Sequence, residues 1–185
     1  MIALIPIGKS KRLKDKHFMF IDGKRIIDII VENLIQCQFF KKIIIFSYKE
    51  IDIKNATIII DYELKGVSNV LKNVIETYNE NVILIGGDMP FVSCDSISLL
   101  LRYPENLISI PRWKNGYFEP LHAYYPETIK FPNEKDMKSL LNKNMFVSIE
   151  AEKFPPFTFF NINTYDDYIK AIEIYDMVKK WGKYK

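Results

Sequence analysis

The chain has 185 residues, of which 48% are hydrophobic and 26% charged, and its net charge at pH 7 is +3. This composition is typical of a globular protein, and the length suits one domain with a sizeable core. The small net charge argues against a nucleic-acid-binding protein, and no apolar run approaches the ~20 residues of a membrane span. We therefore expect a single domain over residues 1–185, without nucleic-acid or membrane partners.

Two cysteines, Cys37 and Cys94, occur without the spacing of a metal site and without a signal peptide. We therefore expect no disulfide framework, and a reducing cytoplasm is the expected location. Cys94 falls near a predicted helix start, and we interpret it as a structural cysteine.

The first half of the chain alternates between predicted strands and helices. The segment "MIALIPI" predicts a strand, and apolar side chains at positions 27, 30, 31 and 34 follow the spacing of an amphipathic helix. The segments "KKIIIFS" and "ATIIID" predict strands, and a second amphipathic helix begins after Gly66 and reaches Tyr78. Strands this apolar, alternating with helices, predict a three-layer α/β/α fold with a mostly parallel, Rossmann-like sheet.

The second half is less regular. "NVILIGG" predicts a strand, "CDSISLLLR" a short helix and "LISIP" another strand. "YFEPLHAYY" alternates like a strand, and its Pro120 suits a sheet edge or a bulge. We predict a further short strand in "FTFFNI", then a terminal helix capped by Thr164 with Asp167 three residues later. His122 has apolar neighbours and is interpreted as a packed core residue.

The first predicted strand leads directly into a basic loop, "GKSKRLKDK". In sheets of this class, ligands lie outside the carboxyl ends of the strands, near a switch in strand order. Gly8 allows a tight turn with exposed backbone N–H groups, and the loop's cations suit a polyphosphate. The spacing is not that of a P-loop. A solvated basic loop without a ligand is the alternative.

Two later strand ends also carry candidate functional residues. In "LIGGDMPFV", Gly86 and Gly87 leave the backbone open to close approach, and Asp88 could hold Mg²⁺ together with substrate phosphates. Asp88 could instead be a turn residue. In "FFNINTYDDY", Asn161 and Asn163 alternate on a predicted strand end, so their amides could read a polar heterocycle or a ribose. Turn capping is the alternative for both.

With these stretches, the chain resembles the nucleotidyltransferase group that includes molybdenum cofactor guanylyltransferase. That family opens with L-A-G-G-x-S-x-R-M-G-x-D-K, and "IPIGKSKRLKDK" retains five of its residues, Gly8, Ser10, Arg12, Asp15 and Lys16. The family's "GDMPF", "EPLHA" and "NINT" segments recur at 87–91, 119–123 and 161–164. The opening loop is one residue shorter than the family pattern before Asp15 and departs from it at Pro6, Ile7 and Lys14.

The resemblance implies a Mg²⁺-dependent transfer of GMP from GTP to molybdopterin, with release of pyrophosphate. In this family pattern, Arg12 and Lys16 hold phosphates, and Asp88 holds Mg²⁺. The nucleotide would be bound by Ile5, Pro6, Ile7, Gly8, Lys16, Asp61 and Gly66, with Asp61 at the guanine edge. Asn161 and Asn163 would face the acceptor.

Other functions remain open at this point. One is a related transferase acting on adenosylcobinamide phosphate or phospholactate, or transferring a cytidylyl group. Another is a non-catalytic, nucleotide-binding regulatory protein, which the departures at Ile7 and Lys14 favour and the retained Lys16 and Asp88 oppose. In either case we expect a monomer or a weak homo-oligomer.

Overall fold

The computed structural model describes residues 1–60, 62, 66–131 and 137–180. Its strands are β1 (Ile2–Ile7), β2 (Phe20–Ile21), β3 (Lys24–Arg25), β4 (Lys42–Ser47), β5 (Thr57–Ile60), β6 (Val82–Ile85), β7 (Ile108–Arg112), β8 (His122–Tyr125) and β9 (Phe146–Glu150). Its α-helices are α1 (Ile26–Gln36), α2 (Val67–Tyr78), α3 (Cys94–Leu100), α4 (Met137–Lys143) and α5 (Tyr165–Lys180).

Seven of these strands form one sheet in the order β5-β4-β1-β6-β8-β7-β9. The pairs β1–β4, β1–β6, β4–β5 and β7–β9 are parallel, whereas β8 runs antiparallel to both of its neighbours. Strands β2 and β3 form a separate antiparallel ribbon. The predicted mostly parallel sheet is therefore confirmed.

Apolar side chains on the two faces of the sheet form two cores. In β1, Ala3 and Ile5 pack on one face together with residues of α1, α3 and α5. Ile2 and Leu4 point to the other face and pack with residues of α2 and α4. Both faces of β1 are buried because a central parallel strand is covered by helices on both sides. This arrangement confirms the predicted three-layer α/β/α fold.

Local capping explains where two helices begin. In α3, the Ser93 side chain accepts from the Ser96 backbone N–H, and the Ser96 side chain accepts from the Ser93 backbone N–H. At the start of α5, Asp167 N–H donates to Thr164 Oγ1 at 3.2 Å, and Thr164 N–H donates to Asp167 Oδ2 at 2.8 Å. The predicted capping pair at the terminal helix is confirmed.

The sheet around β8 differs from the sequence expectation. Only His122–Tyr125 of "YFEPLHAYY" is a strand, and it lies inside the sheet between β6 and β7. The prediction of an edge or a bulge at Pro120 was wrong because the proline precedes the strand and so takes no place in its hydrogen-bond ladder.

The predicted strand in "FTFFNI" was also wrong. Residues 156–159 form turns, with Thr158 N–H donating to the Pro155 carbonyl and Phe160 N–H to the Phe157 carbonyl. Phe157 has φ +67°, a left-handed conformation that a strand does not accommodate. Aromatic side chains in this segment pack against Phe91, Trp113 and His122 instead.

The two cysteines also depart from expectation, because a disulfide joins Cys37 at the end of α1 to Cys94 at the start of α3. Their Cα atoms are 5.0 Å apart. The expectation of no disulfide is corrected here, since the packing of α1 on α3 brings together cysteines 57 residues apart in sequence. No helix within the described residues is both long and apolar enough to cross a bilayer.

Candidate active site

The candidate site lies where the strand order reverses. From β1 the chain moves outward to β4 and β5, and then returns through α2 to β6 on the other side of β1. Because Leu4 pairs with Leu84, residues 86–88 follow β6 beside the carboxyl end of β1. This is the position at which doubly wound sheets bind ligands.

A cavity of about 500 Å³ opens at this point. The basic loop and the end of β1 form one wall, and the segment after β6 forms the floor. The N-terminus of α2 and the end of β4 complete the lining. The lining residues are Pro6, Ile7, Gly8, Lys9, Ser10, Lys11, Arg12, Lys16, His17, Phe46, Ser47, Gly66, Val67, Val70, Gly86, Gly87, Asp88 and Leu121.

The charged centre of the site is formed around Lys16, which lies in a short 3₁₀ turn, Lys16–Phe18. Lys16 is 7% exposed, and its Nζ donates to Asp88 Oδ2 at 2.5 Å and to Asn163 Oδ1 at 3.0 Å. Asp88 itself is mostly buried. An ion pair this enclosed is screened weakly by solvent. A charged ligand that displaces one partner of the pair can therefore interact strongly with the other.

The segment before α5 is held against the same centre by the backbone. Ile162 N–H donates to the Asp88 carbonyl at 3.0 Å, and Asn163 N–H donates to Asp167 Oδ2 at 3.0 Å. Thus three segments that are far apart in sequence, the basic loop, "GGD" and "NIN", meet at Asp88. The meeting of Asn163 with Lys16 and Asp88 was not predicted from the spacing.

Close packing across the cavity floor explains the glycine at position 87. A Cβ added to Gly87 would lie 2.3 Å from Ile7 Cγ2 and 3.2 Å from the Pro6 carbonyl oxygen. Ile7 stands where the family pattern has a glycine, and it lies in extended conformation within β1. Its side chain fits because Gly87 has none.

Most cations of the basic loop project from the surface. Lys9, Lys11 and Arg12 are exposed and line the mouth of the cavity, whereas the exposed Lys14 does not line it. Asp15 holds the base of the loop to the end of β4 by accepting hydrogen bonds from Lys49 Nζ, at 2.9 Å, and from the Tyr48 hydroxyl. The hydrogen bond from Lys49 is the main reason that the pKa of Asp15 lies below its ordinary value.

His17 lies beneath the loop and is 4% exposed. Its Nδ1 is 2.8 Å from the Gly87 carbonyl oxygen. Burial lowers the pKa of His17 below its ordinary value, and hydrogen bonding to the backbone of Gly87 and Gly8 only partly opposes this. The ring is therefore neutral at pH 7.

The donor set for a metal is small. Asp88 is the one carboxylate among the lining residues, and no cluster of three or more Asp, Glu, His or Cys side chains suited to a metal occurs in the described ranges. A lone carboxylate fits Mg²⁺ better than Zn²⁺ or Ca²⁺, because Mg²⁺ in phosphate-transfer sites keeps several waters and takes its other ligands from substrate phosphates.

The predicted site residues are therefore only partly brought together. Pro6, Ile7, Gly8, Arg12, Lys16, Gly66 and Asp88 line the cavity, and Asn163 contacts it through Lys16. Ile5 is fully buried in the sheet and does not line the cavity. Residues 160–163 form no strand, so the predicted strand face shared by Asn161 and Asn163 is absent, and Asn161 donates to the Phe159 carbonyl at 3.1 Å. Asp61 lies outside the described residues.

Several lining residues were missed by the sequence analysis. Phe46 and Ser47 end β4, which neighbours β1 in the sheet, and the strand-end rule applied to "KKIIIFS" could have found them. His17 also lines the cavity, and its hydrogen-bond partner is the backbone carbonyl of Gly87. Backbone partners leave no signal in the sequence.

Comparisons with known proteins identify the family to which the chain belongs. A family model described as cytidylyltransferase matches residues 2–181. A Pyrococcus horikoshii protein named probable molybdenum cofactor guanylyltransferase is 28% identical over 89% of this chain and 95% of its own length. The crystal structure of molybdopterin-guanine dinucleotide biosynthesis protein A from Archaeoglobus fulgidus has a TM-score of 0.75 at 23% identity, covering 96% of this chain and all of that one. A Mycobacterium tuberculosis protein, solved as a manganese complex, has a TM-score of 0.65 at 12% identity, covering 93% and 97% of the two chains.

Proposed function

Because the chain belongs to the cytidylyltransferase family, we propose that it is a nucleotidyltransferase that transfers GMP from GTP to molybdopterin. The resemblance to molybdenum cofactor guanylyltransferases is confirmed by relatives of that name that match most of the chain. The observation that carries the proposal is the meeting of Lys16, Asp88 and Asn163 at a cavity lined by the basic loop, with Asn163 reaching it through Lys16.

The reaction requires little covalent chemistry from the protein. A phosphate oxygen of the acceptor attacks the α-phosphorus of GTP, and the bond from that phosphorus to the β-phosphate oxygen breaks. The bonding electrons leave with pyrophosphate, so negative charge grows on the non-bridging and leaving oxygens. Lys16 stabilises this charge as a compact cation, and Arg12 does so as a planar fork that can contact two oxygens.

Asp88 is the residue that would hold Mg²⁺, which when bound neutralises phosphate charge and polarises the reacting phosphorus. Asp88 is paired with Lys16 in the free protein. When a triphosphate enters, its oxygens compete for Lys16, and Asp88 becomes available as a ligand. The manganese complex of the M. tuberculosis protein supports a divalent metal for this fold.

We place the two substrates on different sides of Asp88. We place the triphosphate against the backbone of Pro6–Gly8 and the start of α2 at Gly66, where a helix N-terminus favours an anion. We place the acceptor beside Asn161 and Asn163. The reaction is expected in the cytoplasm, with GTP and molybdopterin as small-molecule partners and the protein as a monomer or weak homo-oligomer.

A second candidate is the transfer of CMP from CTP. The description of the matching family, cytidylyltransferase, favours it. Asp61, the residue proposed to contact the guanine edge, lies outside the described residues, so the choice between the bases depends on a direct measurement.

That measurement is a panel of GTP, CTP and ATP, each with Mg²⁺, followed by calorimetric binding and by pyrophosphate release in the presence of molybdopterin. We expect GTP to bind most tightly and to be the triphosphate consumed. Preference for CTP would support the second candidate, and binding of none of the three would refute both.

The same assay tests Asp88. We expect Asp88→Asn to lower turnover by about 100-fold or more, because a preorganised group at the reacting phosphate is lost. Asp95→Asn is the matched control, since Asp95 is exposed on α3 and does not line the cavity. Unchanged turnover of Asp88→Asn at saturating Mg²⁺ would contradict the assignment, whereas loss of folding would indicate a turn residue.

A further inference from the structure

Two consecutive residues of the 3₁₀ turn contact two consecutive residues of the segment after β6. Lys16 donates to the carboxylate of Asp88, and the ring of its neighbour His17 contacts the carbonyl of Gly87. From the opposite side, the N–H of Ile162 donates to the Asp88 carbonyl at 3.0 Å. The two successive carbonyls at 87 and 88 are thus each held by a hydrogen bond from a different segment.

The chemistry of this contact fixes the form of the ring. A carbonyl oxygen only accepts hydrogen bonds, so the Nδ1 that lies 2.8 Å from it must carry the proton. The ring approaches this closely because Gly87 lacks a side chain, since a Cβ there would lie 3.3 Å from Nδ1. A neutral ring protonated on Nδ1 leaves Nε2 without a proton.

We propose that His17 is a positioning residue for the transfer reaction, which fixes Asp88 relative to Lys16 and the basic loop through its hydrogen bond to Gly87. This inference rests on the proposed function, because the two side chains that it positions are those assigned to the metal and the phosphates. Without the hydrogen bond, the peptide between Gly87 and Asp88 can rotate, and the carboxylate no longer stays opposite the loop.

The first test uses the protein alone and does not depend on catalysis. The chain contains only two histidines, so a ¹⁵N-histidine-labelled sample at pH 8 shows two side-chain spin systems. The system that disappears in His17→Asn belongs to His17. We expect it to be neutral and protonated on Nδ1, and protonation on Nε2 would overturn the inference.

The second test compares three variants in the pyrophosphate-release assay. The side-chain amide of His17→Asn lies near the position of Nδ1 and can still donate to Gly87, so we expect turnover within about three-fold of the natural protein. The amide of His17→Gln lies further from the backbone, and His17→Phe has no donor. For these two we expect kcat to fall by about 10- to 100-fold, as is usual when the support of a reacting group is lost.

The rescue by asparagine separates positioning from simple core packing, and thermal unfolding of each variant provides the stability control. Equal turnover of His17→Asn and His17→Gln would overturn the inference, even if His17→Phe does not fold. If the natural protein transfers no nucleotide, the proposed function fails, whereas the spectrum of His17 still decides whether the hydrogen bond exists.

Discussion

Replacement of Gly87 by alanine tests the close packing of the cavity floor. The added Cβ would lie 2.3 Å from Ile7 Cγ2, about 1 Å inside ordinary van der Waals contact. Ile7 is 2% exposed and belongs to a strand that is paired on both sides, so it has little room to move. Overpacking of this kind costs about 1–3 kcal/mol. For a chain of this length, 2 kcal/mol corresponds to a decrease in Tm of about 4–8 °C.

The assay is urea denaturation of Gly87→Ala, Ile7→Ala, the double variant and the natural protein. We expect the cost of Gly87→Ala to fall by half or more in the Ile7→Ala background. The Pro6 oxygen at 3.2 Å and His17 Nδ1 at 3.3 Å remain tight neighbours, so the cost should not vanish. Gly8→Ala is the matched control, because a Cβ at Gly8 meets nothing within 4 Å and its φ is not left-handed. We expect it to leave the free energy of unfolding unchanged or slightly higher.

Two outcomes would refute this reasoning. The same cost of Gly87→Ala with and without the Ile7 side chain would show that Ile7 is not the obstacle. A loss for Gly8→Ala as large as that for Gly87→Ala would show that both sites suffer a general glycine effect and not a specific contact.

Three further predictions concern charge, pH and the disulfide. Alanine at Arg12 or Lys16 should cost on the order of 2–4 kcal/mol of transition-state stabilisation, whereas smaller, salt-dependent losses are expected at Lys9, Lys11 and Lys14; five similar small losses in kcat/KM would contradict the site. Burial lowers the pKa of His122 to about 3, from 6.5 in the unfolded chain. The stability that depends on the neutral form of this ring is therefore complete above pH 6.5, and about 1.4 kcal/mol of it is lost per pH unit as the pH falls towards 3. Urea denaturation of His122→Phe between pH 4 and 7 should show a shallower pH dependence, and parallel curves would contradict this. Reduction of the disulfide, which closes a loop of 57 residues, should lower the free energy of unfolding by up to about 4 kcal/mol, and a Cys94→Ser variant should be insensitive to reductant.

Local sequence patterns were sufficient to predict the layers of the fold and the edge of the sheet that carries the site. Apolar runs such as "IALIPI" and helical spacing after Gly66 are local patterns, and they predicted β1 and α2 with nearly their observed bounds. The strand-end rule then selected the basic loop and Asp88, which do line one cavity. The family resemblance added their roles.

Predictions from local sequence patterns were wrong where contacts between distant segments determine the structure. The alternation in "FTFFNI" predicts a strand, but its aromatic rings pack with Phe91, Trp113 and His122, and Phe157 turns the chain. The short helix α4, the edge strand β9 and the β2–β3 ribbon were not predicted at all. Of the five residues of β9 only Ile149 is buried, so the hydrophobic pattern of this strand is weak.

The identity of the residues that meet at the site depends on the folded path of the chain. Lys16 and Asp88 are 72 residues apart and Lys16 and Asn163 are 147 apart, and no spacing rule connects them. The partner of His17 is the Gly87 carbonyl, a group that every residue possesses and that acquires a distinct role only through its position. Ile7 replaces a glycine of the family pattern, and its side chain fits because Gly87 lies opposite. Sequence patterns report which side chains a segment can bury, whereas contacts between segments depend on the path of the chain through space.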